Sequence, residues 1–178
     1  KYANVNYYKA ISCDDVLYGD KIERMINVFK TLPDEYALIY SDMQVIDEKG
    51  IIISNSLLSD ISRDNRNMPE GNVFLEEIKA NFILAPTALI RLDKLMKLNG
   101  YDENLEFEDY DLFLRLTRLY KIKYLEGNPT VKYRKHNNSL SITMGHKLYE
   151  NNLKAYYNLY KNEKDPNYKA SINRSIKN

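Results

Sequence analysis

The chain has 178 residues, with 26 Lys and Arg against 25 Asp and Glu, so its formal net charge is +1. A balanced charge argues against proteins that bind nucleic acid or an acidic membrane surface through one dominant sign of charge, and we expect no nucleic-acid partner. With 44% apolar residues the length suits a single α/β domain over residues 1–178, and its uncharged stretches stop far short of the ~20 residues that cross a bilayer.

Cysteine usage points to a reducing compartment. The single cysteine, Cys13, cannot form an internal disulfide, and the chain opens without a basic segment followed by an apolar one. We therefore expect a cytoplasmic protein.

Hydrophobic periodicity predicts strands and helices in mixed order, which is typical of the α/β class. The predicted helices have apolar side chains at spacings of three and four, and the predicted strands are short apolar runs bounded by turn residues. The predicted strands are residues 5–12, 37–41, 43–47, 51–54, 82–90, 122–125 and 130–135. The predicted helices are residues 20–32, 72–79, 92–98, 109–120 and 141–161.

Three segments depart from regular periodicity. Residues 55–71 form a long polar loop of the kind that can close over a substrate as a lid. Pro86 interrupts the apolar run 82–90, so an irregular backbone is expected there. The polar tail after Lys164 is expected to fray.

The acidic pair Asp14-Asp15 follows a predicted strand, at an element end where α/β proteins gather their sites. A hard divalent cation prefers carboxylate oxygens and commonly bridges one of them to substrate phosphates. The pair is equally consistent with a simple turn before the helix that begins near Asp20.

A second acidic pair, Glu108-Asp109, stands at the start of a predicted helix. The amide dipoles of a helix N-terminus favour an ionised carboxylate, so Asp109 is expected to be able to accept a proton. An acidic first turn that merely caps the helix is the more frequent case, and the pair alone does not decide between the two.

Arg134 and His136 lie at the end of the last predicted strand, where alternation directs both side chains to the same side. An imidazole there can ligate a metal or contact phosphate, and the guanidinium fork suits a diphosphate. A lone exposed histidine is more often neither, and Arg134 can equally pair with a surface carboxylate.

Four blocks in chain order resemble the family 2 glycosyltransferases with the GT-A fold: SCDDVLYGDKIERM, LIYSDMQVIDEKG, NGYDENLEFEDYDLFLRL and YRKHNNSLS. They run from about Ser12 to Ser141 and together are far more specific than any single acidic pair. The resemblance implies a mixed sheet flanked by helices and the transfer of a sugar from a nucleotide-sugar donor to an acceptor.

The resemblance also implies roles for individual residues. The first acidic pair would bind a divalent metal, Mn²⁺ or Mg²⁺, and the donor, with Asp15 as the preferred metal ligand and Asp14 nearer the ribose. Asp109 would be the catalytic base, and Glu108 would position it or bind the donor sugar. His136 would help to hold the metal or the diphosphate.

The family pattern is incomplete at the start of the chain. Members begin with a nucleotide-binding βαβ region of roughly 30 residues, whereas eleven residues precede Ser12. The expectation is therefore a carboxyl-terminal portion of a GT-A domain, inactive alone and able to self-associate through exposed strand edges.

The expected reaction inverts the anomeric configuration and uses a saccharide or lipid-linked acceptor, in bacterial surface polysaccharide synthesis. It would take place in the cytoplasm or at the inner face of the membrane, with which the full-length enzyme can associate peripherally. The alternatives are a non-catalytic folded module or inactive fragment, and, with less support, a metal-dependent phosphatase or nuclease, whose sites usually cluster more carboxylates around two metals.

Overall fold

The computed structural model describes residues 5–61 and 68–177 as a mixture of eight strands and eight helices. The strands are β1 (Tyr7–Tyr8), β2 (Val16–Leu17), β3 (Tyr36–Ser41), β4 (Gln44–Ile46), β5 (Ile52–Ser54), β6 (Leu89–Arg91), β7 (Lys121–Leu125) and β8 (Val131–Arg134). The helices are α1 (Lys21–Thr31), α2 (Leu57–Ile61), α3 (Phe74–Lys79), α4 (Leu92–Lys97), α5 (Glu108–Leu119), α6 (Leu140–Thr143), α7 (Gly145–Asn162) and α8 (Pro166–Lys177).

The strands form two mixed sheets, as expected for the α/β class. The larger sheet has the order β1-β6-β3-β7, in which β3 and β7 are parallel and the other pairs antiparallel. The smaller has the order β2-β8-β4-β5, in which β4 and β8 are parallel. Both sheets therefore bring segments that are distant in sequence side by side.

The main core lies between β3 and α5. Ala37, Leu38 and Tyr40 of β3 are fully buried, and α5 packs Leu112 and Leu116, four residues apart, into the same cluster. Burial of this stripe on α5 removes apolar surface from water, and it fixes the helix whose first turn carries Glu108 and Asp109.

A second core joins α3, α5, α7 and α8. Ile172 of α8 is buried against Phe74 of α3, and Tyr168 meets Phe74 edge to face at 5.0 Å. The prediction that the tail after Lys164 frays is therefore wrong, because α8 has an apolar stripe that finds a partner on α3.

The hairpin prediction is confirmed. Strands β4 and β5 are antiparallel, Gly50 takes a φ of 86°, and Asp47 Oδ1 accepts hydrogen bonds from the N–H groups of Lys49 (2.9 Å) and Ile51 (2.8 Å). Glycine, which has no Cβ, adopts this positive-φ conformation without strain.

Two strand predictions need correction. Of residues 5–12, only Tyr7–Tyr8 pair with another strand. Of residues 82–90, only the end contributes to β6, since Ala85–Thr87 form a 3₁₀ turn. The irregularity expected at Pro86 is confirmed, because a residue without an N–H cannot donate to a sheet ladder.

The predicted helix 141–161 is divided at Met144 into α6 and α7. The predicted lid, residues 55–71, contains α2, and residues 62–67 lie outside the described part of the chain. Within residues 5–61 and 68–177, no helix is both long and apolar enough to cross a membrane.

Candidate functional site

The first acidic pair lies in a turn that the small sheet places beside the end of β8. Asp14-Asp15 directly precede β2, which pairs antiparallel with β8. Asp15 Oδ1 accepts a hydrogen bond from the main-chain N–H of Arg134 at 3.0 Å. The pair therefore stands in a turn rather than at the end of a strand, and its position depends on pairing between residues more than 100 positions apart.

His136 contacts the other carboxylate of the pair. Its Nε2 lies 2.9 Å from Asp14 Oδ2, and this hydrogen bond holds the pKa of Asp14 below its usual value. The main-chain N–H of His136 donates to Ser139 Oγ at 3.2 Å, and this hydrogen bond closes the turn that follows β8. The histidine that was expected to assist the acidic pair is thus in direct contact with it.

Arg134 organises the surrounding main chain. Its Nε donates to the carbonyl oxygen of Asp14 at 3.0 Å, and its Nη1 donates to those of Asp47 (2.9 Å) and Glu48 (3.1 Å). Arg134 and His136 therefore approach Asp14 from the same side, as alternation predicts. Most of the guanidinium is engaged in joining the acidic turn to the β4–β5 hairpin.

The residues on either side of Arg134, Tyr133 and Lys135, face away from the acidic turn. Tyr133 and Lys135 line a separate cavity of about 350 Å³ together with residues of β5 and α2, among them Ile53 and Leu57. The acidic turn and this cavity therefore lie on opposite sides of the strand end.

The acidic turn offers a partial coordination sphere for a divalent cation. Asp15 Oδ2 is buried and has no hydrogen-bond partner among the residues that the structure describes, and burial raises the pKa of this carboxyl. An orphaned carboxylate oxygen fits the preference of Mn²⁺ or Mg²⁺ for oxygen ligands. No group of three or more His, Cys, Asp or Glu side chains in residues 5–61 and 68–177 is arranged to hold a metal, so a cation would need further ligands from a bound diphosphate and water.

Two lysines lie behind Asp15 and were not expected from the sequence. Lys21, fully buried, donates through Nζ to the carbonyl oxygen of Pro86 at 2.8 Å, and Lys9 Nζ lies 3.5 Å from that of Ala85. Burial lowers the pKa of Lys21 to about 6 and that of Lys9 to about 8, and the charge of Asp15 opposes both shifts. They connect the acidic turn to the 3₁₀ turn.

The second acidic pair opens α5. Glu108 is exposed, whereas Asp109 is half-buried and its Oδ1 accepts the N–H of Tyr110 at 2.8 Å. Burial raises the pKa of Asp109, and the nearby charge of Glu108 acts in the same direction. The main-chain N–H of Asp109 itself also interacts with the carboxyl. A half-buried carboxylate with a raised pKa is able to take a proton.

The two acidic pairs form separate groups that one short strand links. Tyr8 of β1 meets the ring of Tyr101 at 6.0 Å, and the charges of Glu108 and Asp109 act on Tyr101. The next residue, Lys9, feels the charge of Asp15.

A third acid near Asp109 also escaped the sequence prediction. Glu77 of α3 is fully buried, and the charge of Asp109 acts on it. The sequence did indicate that Glu77 is buried, because it follows Phe74 by three residues and Val73 by four, and therefore lies on the apolar face of its helix.

The chain is similar to a protein-family model and to curated proteins from two organisms. The model of a family described as "Glycosyltransferase like family 2" matches residues 1–169. An uncharacterized glycosyltransferase of Rickettsia prowazekii (strain Madrid E) is 31% identical over 132 residues, 73% of this chain and 40% of the relative. One of Rickettsia typhi (strain ATCC VR-144 / Wilmington) is 29% identical over 146 residues, 81% of this chain and 44% of the relative. The chain thus spans less than half the length of these two relatives.

Proposed function

The chain belongs to the glycosyltransferase-like family 2, and on this premise we propose that it transfers a sugar from a nucleotide-sugar donor to an acceptor hydroxyl with inversion of configuration. The observation that carries the proposal is Asp109, a half-buried carboxylate of raised pKa at the first turn of α5, whose Oδ1 accepts the N–H of Tyr110. Such a group suits general-base catalysis.

In the proposed reaction, Asp109 Oδ2 takes the proton of the acceptor hydroxyl as that oxygen attacks the anomeric carbon of the donor. The bond from this carbon to the nucleoside diphosphate breaks, and the diphosphate leaves with the bonding electrons. Attack from the face opposite the leaving group inverts the configuration. Glu108 lies beside Asp109 and is proposed to position it or to bind the donor sugar.

The acidic turn is proposed to bind the donor diphosphate. Asp15, with His136 as a second candidate ligand, would hold Mn²⁺ or Mg²⁺, and a cation there would neutralise charge that develops on the departing diphosphate. Asp14 is proposed to contact the donor near the ribose. Arg134 is proposed to contribute the part of its guanidinium that the main-chain carbonyls do not engage.

The acceptor and the setting are also proposals. A saccharide or lipid-linked acceptor in bacterial surface polysaccharide synthesis agrees with the bacterial origin of the relatives. The lone Cys13 supports the cytoplasm, where the protein can associate peripherally with the inner face of the membrane. Fractionation of producing cells tests this location, and recovery of the protein outside the cytoplasmic and inner-membrane fractions would exclude it.

The test of the proposed function is acceptor-dependent release of nucleoside diphosphate from a panel of nucleotide-sugars. The full-length protein is used in every transfer assay, because residues 1–178 are expected to be inactive alone. Release is expected for the full-length wild-type protein and loss of release for Asp109→Asn, with donor binding retained. Donor binding without any transfer across the panel would instead favour a non-catalytic module.

A further inference from the structure

Glu77 is a buried acid without a cation. Its side chain is 0% exposed, its Oε2 accepts the N–H of Phe82 at 3.3 Å, and the N–H of Ile83 also interacts with the carboxyl. Its Oε1 is buried and has no hydrogen-bond partner within residues 5–61 and 68–177. Among the same residues, no Lys, Arg or His charge acts on its carboxyl. Burying an ionised carboxylate in this way is strongly unfavourable, so the group keeps its proton.

The titratable groups whose charges interact with Glu77 are all negatively charged when they ionise. They are Asp109 and Tyr110 on α5, Tyr156 on α7 and Tyr40 on β3. Tyr110 Oη donates to the main-chain oxygen of Glu77 at 3.0 Å and lies 2.7 Å from Tyr156 Oη. None of these groups can neutralise an ionised Glu77, and Asp109 would repel it.

Glu77 also joins two parts of the proposed site. Through Phe82 and Ile83 it holds the segment that leads into the 3₁₀ turn Ala85–Thr87, where Pro86 accepts the hydrogen bond of Lys21. The charge of Asp109 also acts on Glu77, and Tyr110 of the same helix donates to the main-chain oxygen of Glu77. The carboxyl therefore stands between the segment near the acidic turn and the helix that carries the proposed base.

We propose that Glu77 acts as a neutral carboxylic acid that positions the Phe82 segment against the helix of Asp109 without placing a second negative charge beside that residue. The inference rests on the proposed function and adds a positioning residue to it. Ionised Glu77 would have to reach water, and the segment that it holds would open with it.

The positioning role makes transfer sensitive to alkaline pH. Burial raises the pKa of Glu77 to about 8, so at pH 9 about one molecule in ten keeps the proton. We expect kcat/KM for the donor to fall about tenfold between pH 7 and pH 9 in the wild-type protein. Glu77→Gln keeps a neutral acceptor for the two N–H groups, so this fall should be absent. Glu77→Leu removes the acceptor and should lower kcat/KM at every pH, with Gln restoring most of the loss.

Unfolding by urea at several pH values is the companion measurement, because it needs no activity. The pKa of Glu77 is raised in the folded state, so wild-type stability relative to Glu77→Gln is expected to fall from about pH 4.5 to about pH 8 and then level off. Parallel stability curves overturn the proposal, as does an alkaline fall in kcat/KM that Glu77→Gln retains. Diverging stability curves in a protein without any transfer would refute the proposed function and, with it, the positioning role.

Discussion

The connection between α5 and α8 rests on the carboxylate of Glu163. Arg118 of α5 donates to it through Nε (2.6 Å) and Nη2 (3.0 Å), and Glu163 Oε1 also accepts the N–H groups of Lys164 and Asp165, both at 2.8 Å. The Arg118 guanidinium further lies 4.5 Å from the ring of Tyr168. A single side chain thus fixes the start of α8 and its attachment to the second core.

Replacement of this side chain by Glu163→Gln is expected to cost about 3 kcal/mol of unfolding free energy at pH 7. The hydrogen bonds with Arg118 lower the pKa of Glu163 from 4.5 to about 2, and Glu163 is only 8% exposed. That difference, at about 1.4 kcal/mol per pH unit, gives the stated magnitude. A matched control is Glu106→Gln, whose partner Lys147 lies at 2.7 Å but whose pair is exposed, so its loss should be about 1 kcal/mol or less.

Urea unfolding between pH 2 and pH 7 provides the assay. Because the folded-state pKa of Glu163 is depressed, its contribution is complete above about pH 4.5 and is lost as the pH falls toward about 2. The difference in stability between the wild-type protein and Glu163→Gln should therefore close over this range. Equal losses for Glu163→Gln and Glu106→Gln, or a difference that does not change with pH, would refute the reasoning.

Two further predictions concern the binding and association of the chain. In the full-length protein, Asp15→Ala is expected to abolish the dependence of nucleoside diphosphate affinity on Mn²⁺ or Mg²⁺, because the carboxylate proposed to bind the cation is removed. Calorimetry with and without a chelator tests this, and an affinity that neither the chelator nor the substitution changes would contradict it. Self-association of the chain is expected at β5, because this edge strand exposes Ile52 and Ile53 beside the exposed Ile51. Sedimentation should show that Ile53→Lys weakens the association, and a strictly monomeric wild-type chain would exclude it.

Elements with strong local signals could be predicted from the sequence. The helix after Asp20, the Gly50 hairpin and α5 are specified by apolar spacing or by turn residues that lie within the element itself. In contrast, the segment that forms α8 was predicted to be a polar tail. Its few apolar residues are buried only because Phe74 of α3, which is distant in sequence, packs against them. The two-residue strand β2 is too short to produce a periodic pattern.

The residues of the candidate site also include some that could be predicted from the sequence and some that could not. The acidic pairs, Arg134 and His136 stand in contiguous blocks that could be recognised, and the structure brings Asp14, Asp15, Arg134 and His136 together. Lys21 could not be assigned from the sequence, since charged residues are normally solvated and its burial depends on segments distant in the chain. The position of Glu77 three residues after Phe74 indicated its burial, but not that Asp109 lies near it.

The central claim, that Asp109 is the base of a sugar transfer, is tested most directly by comparing turnover with donor affinity in Asp109→Asn. In the full-length protein, with Glu103→Gln as an exposed control from the preceding loop, we expect kcat of Asp109→Asn to fall by about 10²-fold or more, as is typical when a general base is lost. The donor Kd should stay within about twofold of wild type, because the substitution preserves shape. A folded Asp109→Asn protein with turnover close to wild type would contradict the account.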